Sequence, residues 1–266
     1  MTMPEVAAAV PPVRPRTELL ASAALWLLVA LLIAWSWHGT GFDLTQLAGS
    51  GPRLIEFFTR MVPPDLSVAE TVVVATLETL QIALLGTALS AVASLVLGLL
   101  AAANLTPRWV HQPVKWLLGA LRGIPVILLA LIFVSAVGLG PFPGVLTIAV
   151  HATGMLGKFY AEAFENAHPA PLEALKCTGA SFAQTIRFGA LTQIAPDLAR
   201  DTLFRFELNL RESLVLGLVG AGGIGFYIQL YIRAFQYERV LTLTVVVLAL
   251  VIAIEQLSVW LRRRLR

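Results

Sequence analysis

The chain has 266 residues, of which 58% are apolar and only 13% charged, with a mean hydropathy of +0.80. A soluble domain is about 45–50% apolar with glycine included and about 25% charged, so a soluble enzyme and a disordered chain are both excluded. The 19 Lys and Arg against 16 Asp and Glu leave +3, too mild for nucleic-acid binding, and the single Cys177 excludes an internal disulfide or a cysteine metal cage.

Arg14 and Arg16 precede an apolar run from Leu19 to Trp37. The run is long for the core of a signal peptide, and Trp35, Trp37 and His38 stand where a small-residue cleavage site would be, so an uncleaved first span is expected. The stretch from His38 to Pro64 is polar enough for an outside loop lying on the interface. A second apolar run covers Gln81–Ala103, and its helix can start near Val68, because Glu70 and Glu78 interrupt an otherwise apolar pattern. A short third run, Ile124–Gly138, can continue back as helix through Lys115–Arg122. Gly144–Phe164 and Val240–Leu261 complete the clear runs, each near the length of a span.

Orientation follows from short-loop cations. Arg14 and Arg16 at one end and Arg262, Arg263, Arg264 and Arg266 at the other put both termini in the cytoplasm, which requires an even number of spans. The missing span is expected at Asp201–Val219, although it contains Arg205, Glu207, Arg211 and Glu212. Asp201–Arg205 and Glu207–Arg211 are i,i+4 pairs, and paired charges facing an interior or a watery path are tolerable in a membrane. The expected fold is therefore an all-α integral membrane bundle of about six helices. Residues 1–70 form an arm, the first span and an outside segment. Residues 71–266 form the transmembrane domain, with a cytoplasmic loop at 165–200.

That loop carries the sharpest local signal. A short helix can start after Pro169 and Pro171 with Glu173 in its first turn, Gly179 can stop it, and Ser181 with Gln184 has the spacing of a capping box for a second helix. Glu173-Ala174, Gly179 six residues after the Glu, and an apolar stretch ending in Pro196 resemble the EAA loop of ABC-importer permeases. One departure is Thr192, where that family often has proline. The segments Arg122–Leu146, Gly157–Asn166, Leu216–Phe226 and Phe235–Val240 are similar to phosphonate-importer permeases, over residues 75–265 or so.

The resemblance implies a type I ABC-importer permease of the bacterial inner membrane, working by alternating access on phosphonate or on reduced phosphorus oxyanions such as phosphite and hypophosphite. It implies three kinds of partner: a second permease, identical or paralogous; two ATPase subunits docked around Glu173, Ala174, Gly179 and Ser181; and an extracytoplasmic binding protein. No G-x-x-x-x-G-K-[ST] occurs, so ATP and Mg are expected on the partner ATPases and no cofactor on this chain.

Gly220, Gly222, Gly223 and Gly225 fit G-x-G-x-x-G, but a dinucleotide site needs a preceding strand, and here a span precedes. These glycines are expected to end the fifth span and let backbones pack closely, or to act as a flexible outer gate. Arg205, Glu207 and Arg211, with Glu78 as a lesser candidate, either line an anion path or brace the bundle. Lys158–Glu162 reads as a satisfied interfacial pair and His151 as a hydrogen-bonded core residue, with no second ligand at metal spacing on its helix. Two rival classes remain. An ion-gradient secondary transporter would show broken helices and repeat symmetry, neither of which the sequence displays. A membrane enzyme would need a His or carboxylate cluster at one face.

Overall fold

A computed structural model describes residues 16–264, and all regular structure among them is helical. Arg14 and Arg266, used above for orientation, lie outside the described residues. The chain divides into two units, one up to Phe58 and one from Thr59 to Arg266. The first holds α1 (Arg16–Thr40), α2 (Leu44–Gly49) and most of α3 (Gly51–Met61). Apolar side chains such as Trp26, Leu31 and Trp35 are exposed along α1, as on a helix in contact with lipid.

The second unit runs through a 3-10 turn (Leu66–Val68), α4 (Ala69–Ala101), α5 (Arg108–Gly123), α6 (Val126–Val137), α7 (Pro141–Glu165), α8 (Pro169–Cys177) and α9 (Phe182–Gln184). A π-helical turn (Thr185–Ala190) follows, then α10 (Leu191–Gly217), α11 (Gly223–Arg233) and α12 (Tyr237–Arg264). Its centre is the pair α4 and α7. Between apolar helices in lipid, association depends on close backbone approach, which small residues permit. Ala75, Ala83, Gly86, Ser90, Ser94, Gly98 and Ala101 are buried down one side of α4. A Cβ on Gly86 would come 2.6 Å from Ile148 Cγ2, and one on Gly98 would come 2.7 Å from Tyr160 Cβ. The hydroxyls in this seam are satisfied locally: Thr79 and Thr87 donate to the carbonyls of Ala75 and Ala83, at 2.8 and 2.6 Å. α10 joins the seam through Asn209, whose Nδ2 donates to Thr87 Oγ1 at 2.8 Å.

Three stretches are long and apolar enough to cross a membrane, Ser22–Thr40, Leu66–Ala101 and Tyr237–Arg264, and a fourth is reached if α5 and α6 count as one bent span. α7 and α10 have 25 and 27 residues, enough length but not enough apolarity for that test. Three expectations change. The third apolar run is a 12-residue helix, about 18 Å long, and it does not continue back through Lys115–Arg122. The chain bends by 86° between α5 and α6. The cause is Pro125, whose ring excludes helical geometry at the residue before it; Ile124 accordingly takes ψ 123°. This bend is also a broken helix that the sequence reading did not see.

The third change concerns the fifth long helix, which starts at Leu191 rather than Asp201. It is led in by α9 and the π turn without interruption, so Pro196 lies inside it instead of ending a loop helix. A widened turn leaves backbone carbonyls short of partners. Thr192 Oγ1 donates to Phe188 O at 2.7 Å and Gln193 Nε2 to Gly189 O at 2.8 Å, which supplies them.

Candidate functional site

The helix–turn–helix at 165–200 is built by local chemistry. His168 caps α8, its Nδ1 accepting from the Ala170 N–H at 3.3 Å. Because α8 starts at Pro169, Glu173 falls past the first turn, contrary to expectation, and is exposed there beside Ala174. The helix stops at Gly179, which has φ +80°, a left-handed conformation that a Cβ would oppose. The Gly179 N–H donates to Lys176 O at 3.0 Å and the Ala180 N–H to Leu175 O at 3.2 Å. The capping box then forms: the Ser181 N–H donates to Gln184 Oε1 at 2.8 Å, and the Gln184 N–H to Ser181 Oγ at 3.4 Å.

This element is held firmly against the start of α10. Leu172 is buried with Phe164, Ile186, Ala190 and Ile194. A Cβ on Gly189 would meet Leu172 Cδ2 at 2.9 Å and Leu175 Cδ1 at 3.0 Å, so α8 rides directly on the π turn. Gln193, which carried no signal in the sequence, accepts from the His168 N–H at 3.0 Å. Phe182 and Phe188 point away from that packing, both 57% exposed, with the Arg187 guanidinium over the Phe188 ring.

The charges of α10 form two separate groups. Arg205 is only 2% exposed. It does not pair with Asp201, as its spacing suggested, but with Glu212, its NH2 nitrogen donating to both carboxylate oxygens at 2.8 and 3.0 Å. Asp201 lies 3.6 Å from Arg200 instead, which leaves Glu212 as the carboxylate for the buried guanidinium. Glu207–Arg211 does form, at 2.8 Å. Glu207 also meets Arg262 and Arg211 meets Glu255, both at 3.4 Å, so this group ties α10 to α12. Lys158 and Glu162 pair at 3.5 Å on an exposed face. Among the described residues, Arg205 Nε, Asn209 Oδ1 and His151 Nδ1 are buried without a hydrogen-bond partner, while the half-buried His151 ring also bonds the Ile124 backbone.

At the other end of α10, Gly220, Gly222 and Gly223 take φ of 92°, 81° and 70° and turn the chain into α11. A Cβ on Gly225 would strike the Leu214 carbonyl and approach Gly217 Cα, so the two helices touch backbone to backbone. Glu78 Oε1 accepts from the Gly223 N–H at 3.1 Å, and Thr79 Oγ1 from the Ile224 N–H at 2.9 Å. Two side chains of α4 therefore serve the unpaired amides at the start of α11. A cavity of about 200 Å³ opens there, lined by Glu78, Gly140, Gly220, Gly222, Phe226 and Tyr227. Among the described residues no hydrogen bond or ion pair joins Glu78 to Arg205, Glu207 or Arg211, so the four path candidates do not form one constellation.

One clamp went unpredicted. Arg239 Nε donates to Asp65 Oδ2 at 2.9 Å, and Thr242 Oγ1 to Asp65 O at 2.9 Å, joining the start of α4 to α12. The Ser67 hydroxyl and N–H, with Arg239, hold the Asp65 carboxyl down at about 2. Arg239 and Thr242 lie more than a hundred residues from Asp65, which no spacing rule reveals.

A bundle of long helices with small-residue seams, buried ion pairs and a rigid helix–turn–helix at one end belongs to the class of membrane permeases. The chain is a member of the binding-protein-dependent transport system inner membrane components, whose family model matches residues 94–266. It is 38% identical over 231 residues to the phosphite transport system permease protein PtxC of Stutzerimonas stutzeri, covering 86% of this chain and 84% of that one. It is 37% identical over 234 residues to the phosphate-import permease protein PhnE of Mycolicibacterium smegmatis, covering 88% of this chain but 43% of that longer one. Among solved structures, the MetNI methionine ABC transporter in an inward-facing conformation matches with a TM-score of 0.66 at 20% identity, over 76% of this chain and 99% of the other. That likeness establishes the fold: a type I ABC-importer permease domain.

Proposed function

We propose that this permease carries phosphonate or a related phosphorus oxyanion, phosphite or hypophosphite among them, across the bacterial inner membrane as part of an ATP-driven importer. The names of its relatives support a tetrahedral phosphorus oxyanion as the cargo. Two permeases, copies or paralogues, enclose the path. Two ATPase subunits, which bind the ATP and Mg, dock on α8 and α9 from the cytoplasm, and a binding protein delivers the anion from outside. Both termini are cytoplasmic.

The observation that carries this reading is the lever itself. α8 is closed by Gly179, started again by the Ser181–Gln184 box and packed without slack on the rod that becomes α10. Exposed aromatics are typical anchors at protein interfaces, and Phe182 and Phe188 flank the capping box. Inside the bundle Arg205 is neutralised by Glu212. A bare arginine would hold an oxyanion, whereas a compensated one lets it pass, and conduction needs binding weak enough to release.

The test is ATP hydrolysis by the chain co-purified with its genomic-neighbour ATPase, with binding protein loaded with phosphite, hypophosphite or a simple phosphonate. Ligand-stimulated hydrolysis in the complex, absent in the isolated chain, is expected. Gly179→Pro should abolish the stimulation while the protein still inserts; unchanged stimulation would remove the lever from the mechanism. Failure to co-purify with any ATPase would overturn the reading.

A further inference from the structure

α5 has two faces. Leu118, 2% exposed, rests on α7, where Gly154 and Gly157 admit it: a Cβ on Gly157 would come 2.7 Å from Leu118 Cδ2, and one on Gly154 2.7 Å from the Arg122 backbone N. The other face exposes Trp109 (79%) and Trp116 (72%). The 86° bend at Ile124 turns α5 across the direction of α6. α5 follows α7 from Gly154, beside Arg122, to Glu165, beside Lys115, and so reaches the end of α7 from which the chain enters the helix–turn–helix at 165–200.

Where α5 crosses α7 a cavity of about 240 Å³ opens. Ala101, Leu118 and Ala161 give it an apolar floor, and Lys115, Arg122 and Lys158 supply three cations. Its two carboxylates are each engaged: Glu165 takes Lys115 at 2.9 Å and Glu162 takes Lys158 at 3.5 Å. Arg122 makes no ion pair among the described residues, so the lining carries one uncompensated positive charge. The cavity lies along the last turns of α7, next to the helix–turn–helix at 165–200.

We infer that this cavity seats the headgroup phosphate of an anionic phospholipid, phosphatidylglycerol being the simplest. Arg122 takes the phosphate, with Lys158 beside it, and the acyl chains leave over the apolar floor of Ala101, Leu118 and Ala161. A free anion would have no use for the apolar floor, and basic pockets between spans at a membrane face have the chemistry of lipid-headgroup sites. The inference needs only that α7 spans the membrane and is independent of the transported cargo.

The full chain, reconstituted in nanodiscs of equimolar phosphatidylcholine and phosphatidylglycerol and released into mild detergent, is examined by native mass spectrometry for retained lipid. Phosphatidylglycerol should be retained over phosphatidylcholine. Each basic group near an anionic lipid is worth about a fivefold change in affinity, so Arg122→Gln should weaken retention about fivefold and Arg122→Gln/Lys158→Gln about thirtyfold. Arg263→Gln, an exposed charge outside the cavity, should retain lipid like the parent. If the double variant does not elute as a single species, the single variant decides alone. Equal retention of the two lipids, or retention unchanged by Arg122→Gln, would overturn the inference. Displacement by millimolar inorganic phosphate would overturn it in favour of a free-anion site, and displacement by a co-purified ATPase subunit in favour of a protein contact.

Discussion

The Arg205–Glu212 pair separates bracing from conduction in a way that can be measured. Arg205→Met keeps most of the side-chain volume and removes the charge. The guanidinium side chain is 3% exposed and the Glu212 side chain 23%, so the carboxylate left behind has some access to water. Removing one partner of a fully buried pair costs about 3–5 kcal/mol; the partial exposure of Glu212 brings the expectation down to roughly 2–3 kcal/mol. Arg205→Met/Glu212→Met leaves no unpaired charge and should recover most of that loss, with a coupling energy in the double-mutant cycle of about 2 kcal/mol. Denaturant unfolding of the purified chain in detergent gives the stabilities, and uptake by cells gives transport. If the pair is a brace, the double variant recovers both. If the guanidinium meets the anion, stability returns and transport does not. An Arg205→Met variant as stable as the parent would refute the premise that the pair is buried and mutually dependent.

Other substitutions probe the remaining contacts. Gly154→Ala places a Cβ 2.7 Å from Arg122 N and 3.0 Å from Leu118 O, backbone atoms that cannot step aside. It should cost about 1–3 kcal/mol and raise hydrogen exchange in α5 above that in α4. Gly225→Ala drives α11 off α10 and away from Glu78 and Thr79; faster exchange at the Gly223 and Ile224 amides is expected, and unchanged protection there would contradict the backbone contact. The carboxyl of Asp65 is depressed from 3.8 to about 2 in the folded chain, so its stabilising contribution is complete above about pH 4 and lost as pH falls through about 2. Thermal unfolding compared across that window should show Asp65→Asn less sensitive to acid than the parent.

What could be read from the sequence was what helical neighbours write into it. Gly179, the Ser181–Gln184 box and the Glu207–Arg211 pair all involve residues within one turn of each other, and each occurs in the structure. The partner of Arg205 was misread because Asp201 and Glu212 both lie on the same side of α10, and burial, not spacing, chooses between them. Pro196 suggested a helix end because proline usually breaks a ladder, yet α10 runs through it; Thr192 and Gln193 serve carbonyls of the π turn ahead of it, with side-chain bonds that have no sequence signature of their own. Ile124-Pro125 did carry the signal for a bend, but the apolar run around it concealed the break. The contacts of Glu78 with Gly223 and of Asp65 with Arg239 span 145 and 174 residues, and such pairs follow from which backbones glycine allows to touch.

Those contacts define a mechanical path. Phe182 to Gly217 is one uninterrupted helical rod, roughly 50 Å long at 1.5 Å per residue. α8 is fixed to one end by Leu172, Leu175 and Gln193, and α11 is fixed to the other through Gly217 and Gly225. The π turn is the natural place for such a rod to flex, yet its carbonyls are bonded by Thr192 and Gln193 and its surface is filled by α8. A displacement of α8 therefore tilts α10 instead of being absorbed beside it. Tilting α10 carries α11 with it, because a backbone-to-backbone contact has no flexible side chain to take up strain. The bonds that must then change are those holding α11 to a different helix: Glu78 to Gly223 and Thr79 to Ile224. Coupling between distant sites requires an element with two discrete arrangements, and the start of α11, capped here by α4, is where the second would have to arise. Glu78, first singled out as a path residue, holds the start of α11 to α4 in this arrangement.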